Sequence, residues 1–345
     1  MNILRYDDKT PSAGDLIRKI KAEKPDVVHI CACWSWGAWR VVRQCRAQSV
    51  PIVFSPNRQL EPWNLRHHYL LCKFPMLMLF QRGIIKWAHA IVATTQQEQK
   101  HLLRLGIHPS MGKNRPWNDR VVFIPDYRRS GEITEEEMRR AYTALYRKVI
   151  DSHPVMQMSA DEWKAEDTLL RLGLARDELT RAITDEQRER VFRLNEAAWR
   201  RLLLHADSEG ILSYVRAGAG LLQLAPQSIT DIDRFPPRKH KNIEPLNTTK
   251  SLLKPQRLEE LAAELHVALP AKTVCIAFLN TIHEKRNGTF SRRHLADLYA
   301  TLRFTDYDEQ HLYDLLRLLK EKRAARKLLR EMRDKLGLEE GFTPF

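Results

Sequence analysis

The segment Lys24-Pro25-Asp26-Val27-Val28-His29-Ile30-Cys31-Ala32-Cys33-Trp34 decides the fold class. Pro25 cannot continue a helix, so it ends the basic helix expected over residues 13–24. Val27 to Cys31 is then a near-continuous apolar run, the pattern of a strand in a parallel sheet covered on both faces. Outward from it, Gly37 to Gln48 reads as a helix, Ile52-Val53-Phe54 as a second strand, Asn64 to His89 as one or two helices, and Ala90 to Thr94 as a third strand. Gln96 to Leu105 follows as a helix and Val121 to Ile124 as a fourth strand. This alternation predicts βαβ units in a right-handed, doubly wound parallel sheet.

Past residue 130 the apolar spacing turns helical, over Glu132 to Asp151, Asp161 to Leu174, Asp177 to Leu204, Arg257 to Leu265 and about Arg292 to Leu336. Between them Pro226, Pro236, Pro237, Pro245 and Pro255 mark a polar linker or loop. The expected organisation is a parallel-sheet domain over residues 1–130, a helical region over 131–225, a Pro-rich linker over 226–255 and a helical C-terminal region over 256–345. The fold class is α/β, with a mainly α-helical C-terminal region.

The chain has 345 residues, 43% hydrophobic and 29% charged, which is ordinary globular usage and excludes wholesale disorder. Of its net charge of +14, most falls in residues 1–130, which hold 21 basic and 9 acidic groups. That region is the one expected to meet anionic lipid, phosphate or nucleic acid. The start, MNILRYDDKTPSAG, lacks the apolar core of a secretory signal, and an odd count of five cysteines suits reduced thiols, so a cytoplasmic protein is expected. The apolar run Tyr69 to Phe80 is broken by Lys73 and Pro75, too short to cross a bilayer but able to lie on a membrane surface. Walker loops, Gly-x-Ser-x-Gly elbows, His-Glu zinc-protease motifs and paired Cys-x-x-Cys sites are absent from the sequence, as are nucleic-acid-binding motifs, so nucleic acid is not an expected partner.

Ligands of open parallel sheets sit beyond the carboxyl ends of the strands, which directs attention to Cys31 to Trp36, Ser55 to Trp63, Thr94 to Glu98 and Pro125 to Tyr127. Lys24 to Ile30 followed by a Trp, Val53-Phe54-Ser55-Pro56 with Leu60-Glu61-Pro62-Trp63, Ala90 to Thr95 with Glu98, Leu103 and Leu105-Gly106, and Arg120 to Pro125 occur in that order. Together they resemble the N-terminal half of family-4-type glycosyltransferases of the GT-B fold, over about residues 15–127. The resemblance implies a Rossmann-like acceptor-binding domain, which in the family faces a second, nucleotide-sugar-binding domain. It also implies a nucleotide-sugar donor, a saccharide or lipid-linked acceptor, no separate cofactor and no metal.

Departures from the family pattern fall on its working loops. The family reads His-Ile-His-Gly where this chain has His29-Ile30-Cys31-Ala32, and Ser-Pro-His-Gly where it has Ser55-Pro56-Asn57-Arg58. The donor-side Gly-Arg-Leu segment is not found, so the donor-type domain is expected to be replaced or eroded. Carried over position by position, the resemblance makes His29 and Cys31 the candidate catalytic residues and Trp34, Asn57, Arg58 and Glu61 the candidate substrate-binding residues. Trp34 is placed either to stack on a sugar or to seal the following helix. His29, Cys31 and Cys33 alternate and would share one strand face, but their ~3.3 Å rise per residue sets the outer two too far apart for one zinc ion. The expected function is that of a cytoplasmic glycosyltransferase-like protein of polysaccharide or glycan biosynthesis, peripheral at the inner face of the membrane. The alternative is an inactive homologue that serves as a binding or membrane-surface partner.

Overall fold

The computed structural model describes residues 1–7, 12–61, 63–64, 73–105, 118–175, 182–226, 229, 232–236, 241, 243 and 254–342. Tyr69 to Cys72 of the apolar run, Pro62, Gly106 and the prolines Pro237 and Pro245 lie outside them. The chain divides into two compact units, Met1–Gln157 with Asp231–Arg238, and Met158–Thr230 with Lys239–Phe345.

The first unit carries a five-stranded, all-parallel sheet of β1 (Ile3–Tyr6), β2 (Val27–Ile30), β3 (Ile52–Phe54), β4 (Ala90–Ala93) and β5 (Val121–Phe123). Val27 and Ile52 to Val122 take the places expected of them, and β1 is an added strand, pairing Ile3 with Val27 and Tyr6 with Ile30. The strands lie in sequential order, which corrects the doubly wound expectation. Crossovers of one hand in a sequential sheet all pass over the same face. That face buries α1 (Ala13–Glu23), α2 (Trp36–Ala47), a π-helical turn (Leu77–Gln81) with the flanking α3 (Phe74–Met76) and α4 (Arg82–Trp87), and α5 (Gln96–Leu105). Leu16, Val41, Ile84 and Leu102 pack there on Val28, Ile30, Phe54 and Ile91.

The opposite face needs its own cover, because Val27, Val53, Ala90 and Val92 alternate onto it. After the short α6 (Tyr127–Ser130), α7 (Glu135–Ser152) supplies the cover with Leu145 and Val149, joined by Phe235 from the Pro-rich stretch. Phe235 is held by a hydrogen bond from its backbone N–H to Ser152 Oγ at 2.8 Å. Helix α7 starts at a capping box in which Thr134 and Glu137 satisfy each other's backbone N–H, and Glu135 pairs with Arg139 one turn on.

Among its described residues the second unit has no strand and is built of helices: α8 (Ala160–Leu174), α9 (Asp185–Phe192), α10 (Glu196–Ser208), α11 (Leu212–Leu221), α12 (Pro255–Glu264), α13 (Leu269–Asn287), α14 (Arg292–Phe304), α15 (Glu309–Leu318) and α16 (Lys322–Leu336). The helical spacing expected over Asp177 to Leu204 is met by two helices, with Asn195 capping the second, and residues 177–181 lie outside the described residues. Helices α8 and α11 cross at backbone contact: a Cβ on Gly218 would stand 2.1 Å from the Leu169 carbonyl oxygen. Gly218 is therefore a packing residue inside a helix. Leu169, Leu202, Phe278, Leu298 and Leu315 fill the core. Within it lies a charged cluster in which His205 contacts Glu166 and Glu209, and Arg292 bridges Glu166 and Asp167.

Candidate functional site at the strand carboxyl ends

A cavity of about 650 Å³ opens where the carboxyl ends of the strands meet α7. Arg5 of β1, His29 and Cys31 at the end of β2, Asn57 after β3, Thr94 after β4 and Asp126 after β5 reach it from the sheet. Met138, Tyr142 and Tyr146 reach it from α7, at the i, i+4 spacing that puts three side chains on one helix face.

His29 is the centre of the floor. It is 3% exposed, with Nδ1 2.8 Å from the Tyr146 hydroxyl and Nε2 2.7 Å from Ser55 Oγ. The Tyr142 ring packs on the imidazole with centroids 5.4 Å apart, so two α7 tyrosines and the Ser55 hydroxyl just after β3 hold the ring. Burial, with help from the Arg5 charge, lowers the His29 pKa to about 3. The imidazole is neutral, donating to one hydroxyl and accepting from the other. Both nitrogens are used within the protein, which suits a group that sets the shape and polarity of the floor rather than one that takes a proton from substrate.

Cys31 lies beside His29 and its backbone N–H donates to the Tyr6 carbonyl at 2.7 Å. Burial raises the thiol pKa against the opposing pull of the Arg5 guanidinium, which hydrogen-bonds to it, so Cys31 is a neutral thiol. Cys33 does not share this face. Strand β2 ends at Ile30, and Cys33 packs into the helix-covered core on the other side.

Asn57 spans the cavity edge, its Nδ2 donating to the Cys31 carbonyl at 3.1 Å. Asn57 and Arg58 both have positive φ, 50° and 68°. The position where the family pattern has glycine thus keeps a glycine-like backbone while carrying a long side chain. Glu98 holds this strained turn: its carboxylate accepts from Arg58 N at 2.6 Å and from Thr94 N at 2.9 Å. Arg58 and Glu61 do not line the cavity. The Arg58 guanidinium pairs with Glu61 at 3.1 Å, and Glu61 accepts further bonds from Trp63 Nε1 at 2.5 Å and Thr95 Oγ1 at 2.8 Å. Burial alone works against the Glu61 charge, yet these donors hold its pKa below the ordinary carboxylate value.

Trp34, with φ 60°, turns to the helix-covered face and packs against that core, its backbone N–H donating to Gln81 Oε1 at 2.9 Å. Of the six sequence candidates, the structure brings His29, Cys31 and Asn57 together around the cavity and sets Trp34, Arg58 and Glu61 outside its lining.

This ordered set of strand-end loops lies largely within one matched stretch. Residues 9–111 match the glycosyl transferase 4-like domain. The match confirms the resemblance read from the sequence for this part of the chain, and β5, Asp126 and α7 complete the cavity beyond it. No curated protein and no solved structure matches the chain.

Several residues that complete the cavity were not singled out from the sequence. Arg5 sits in a four-residue strand at the sheet edge whose burial is only partial, too short to stand out. Tyr142 and Tyr146 carried a readable signal, the stripe Met138, Tyr142, Tyr146 and Val149 on one helix face, but nothing local says which sheet it covers.

Proposed function

We propose that this glycosyltransferase-like protein serves polysaccharide or other glycan assembly by binding a saccharide acceptor in the carboxyl-end cavity and passing to it a sugar from a nucleotide sugar. The observation that carries the reading is the cavity itself. It combines the neutral hydrogen-bonding groups of Asn57 and Thr94, from the glycosyl transferase 4-like stretch, with the rings of Tyr142 and Tyr146 from α7 beyond it, the mixture that sugar hydroxyls and C–H faces require. Because His29 is neutral and engaged on both sides, catalysis rests on holding the acceptor hydroxyl in place and on stabilising the departing diphosphate. The donor substrate and the acceptor come together at the cytoplasmic face of a membrane when the acceptor is lipid-linked.

The test is to incubate the purified full chain with a panel of nucleotide sugars and saccharides, following saccharide binding by NMR and nucleotide release by chromatography. Binding that Asn57→Ala weakens supports the cavity as acceptor site, and nucleotide release supports transfer. Absence of both would remove the reading.

A second reading, a silent homologue docked on anionic lipid, is favoured by a different observation. Phe74, Met78 and Leu79 are exposed beside Arg82 and Lys86, and the sequence from Pro62 to Gln97 holds no acidic residue. Among the described residues no helix is long and apolar enough to cross a membrane. Salt-sensitive pelleting with anionic liposomes, reduced by Leu79→Glu and without nucleotide binding, distinguishes this reading from transfer.

A further inference from the structure

Arg5 stands in an unusual setting on the cavity floor. Its charge reaches His29, Cys31, Tyr142 and Tyr146, and each of these is neutral: the imidazole is deprotonated, and burial keeps the thiol and both phenols protonated. Among the described residues lining the floor, no carboxylate offsets it. Its one ion pair among the described residues is long, 3.9 Å to Asp7 just past the carboxyl end of β1, and the Arg5 side chain is 65% exposed and thus open to a ligand.

The two acids that line the cavity are already engaged. Asp126 accepts from the backbone N–H of Arg128 at 3.1 Å as the cap of α6, and Glu135 pairs with Arg139 at 2.7 Å. The second cation of the rim, Arg128, donates to the hydroxyl of its neighbour Tyr127 at 2.7 Å rather than to an acid. The cavity lining therefore carries three guanidinium groups, Arg5, Arg128 and Arg139, against two carboxylates, a surplus of positive charge. Hydrogen bonds from a guanidinium to an anion are the strong ones, and the planar fork fits carboxylate and phosphate alike.

We propose that the saccharide taken by this cavity is anionic, with a carboxylate or phosphate group seated on Arg5 while the neutral floor receives the sugar hydroxyls. The proposal rests on the acceptor-binding reading above and adds the charge class of the acceptor. It locates recognition of that charge on β1, outside all four loops to which the sequence pointed.

The test compares methyl glucoside, methyl glucuronide and glucose 6-phosphate binding to the full chain at low salt, by calorimetry or NMR titration. At least one of the two acids is expected to bind about tenfold tighter than the neutral glycoside, the smaller end of what one charge-assisted hydrogen bond supplies. Whichever acid gains identifies the anion as carboxylate or phosphate. Arg5→Gln should bring the ratio of acid to neutral affinity to about one, and Arg5→Lys, which keeps the charge without the fork, should retain part of it. Added salt should shrink the ratio in the unsubstituted protein, an arm that does not depend on any variant folding.

Equal affinity for acid and neutral sugars would overturn the proposal and leave the acceptor-binding reading intact. A preference for acid that survives Arg5→Gln would overturn it as well, since the charge would then be read elsewhere. If none of the three probes bound, the proposal and the acceptor reading would fall together.

Discussion

Replacing His205 by Gln should remove a defined part of the protein's stability and, with it, the alkaline fall of that stability. His205 is buried on α10, with Nδ1 2.8 Å from Glu166 and Nε2 3.3 Å from Glu209. Burial opposes its charge, but the hydrogen bonds to Glu166 and Glu209 outweigh burial and raise its pKa from 6.5 to about 9. A raised histidine pKa means that the folded state binds the proton more tightly than the unfolded chain. The resulting stability is complete below the unfolded value and is lost as pH rises through the folded one. At 1.36 kcal/mol per pKa unit the full contribution is about 3 kcal/mol, nearly all of which disappears between about pH 6 and 10. For a transition involving 150–250 residues, that loss corresponds to a fall of roughly 5 to 10 °C in Tm. The assay is urea unfolding across that pH range, unsubstituted protein against His205→Gln, followed by tryptophan fluorescence, because Trp163 lies 4.8 Å from the His205 ring. The difference between the two proteins isolates the histidine from lysines and tyrosines that titrate in both. Parallel curves for the two proteins would refute the reasoning, as would a variant whose stability falls more steeply.

On the acid side, Glu209 has the opposite sign. Burial works against its charge, but bonds from His205, Lys241 and the Arg292 backbone lower its pKa to about 2, so its contribution is present above its ordinary value of 4.5 and lost as pH falls through about 2. Glu209→Gln should therefore flatten the acid limb of the same unfolding series. His29, with its pKa lowered to about 3, should show the nitrogen shifts of a neutral imidazole in a heteronuclear NMR spectrum at about pH 5, where a free histidine is charged. Tyr146→Phe leaves one buried His29 nitrogen unpaired and should cost about 1–3 kcal/mol in urea unfolding. Gly218→Ala pushes a methyl into the Leu169 carbonyl and should cost at least about 1–3 kcal/mol, whereas Gly220→Ala, with nothing within 4 Å of its added Cβ, should be neutral or stabilising by up to about 1 kcal/mol.

The position of each site residue along the chain explains which of them the sequence made visible. His29 ends, and Cys31 and Asn57 follow, strands that announce themselves by apolar runs, and a parallel sheet places such residues at its ligand-bearing edge whatever the strand order. Arg58 and Glu61 were equally visible and yet pair with each other outside the cavity lining, in a turn of two successive positive-φ residues held by Glu98. A positive φ at Arg58 has no signature in residue type, since arginine rarely adopts it. Trp34 went the same way, its backbone captured by Gln81 from a π-helical turn.

The sequence by itself determined the alternation of strands and helices from Val27 to Phe123, the helical character of the chain past residue 130, a family likeness over about residues 15–127 and three of the cavity's polar groups. These are local properties, written in periods of two and 3.6 residues and in turn residues next to them. Only the tertiary structure decided that the strands lie in sequential order, that α7 rather than a crossover helix roofs the open face, and that Arg5, Tyr142 and Tyr146 complete the floor around His29. His29 and Tyr146 are 117 positions apart. Periodicity tells a residue which face of its own element it occupies, while the partner of that face is selected by the burial of the whole unit, a sum over distant segments that no local pattern encodes.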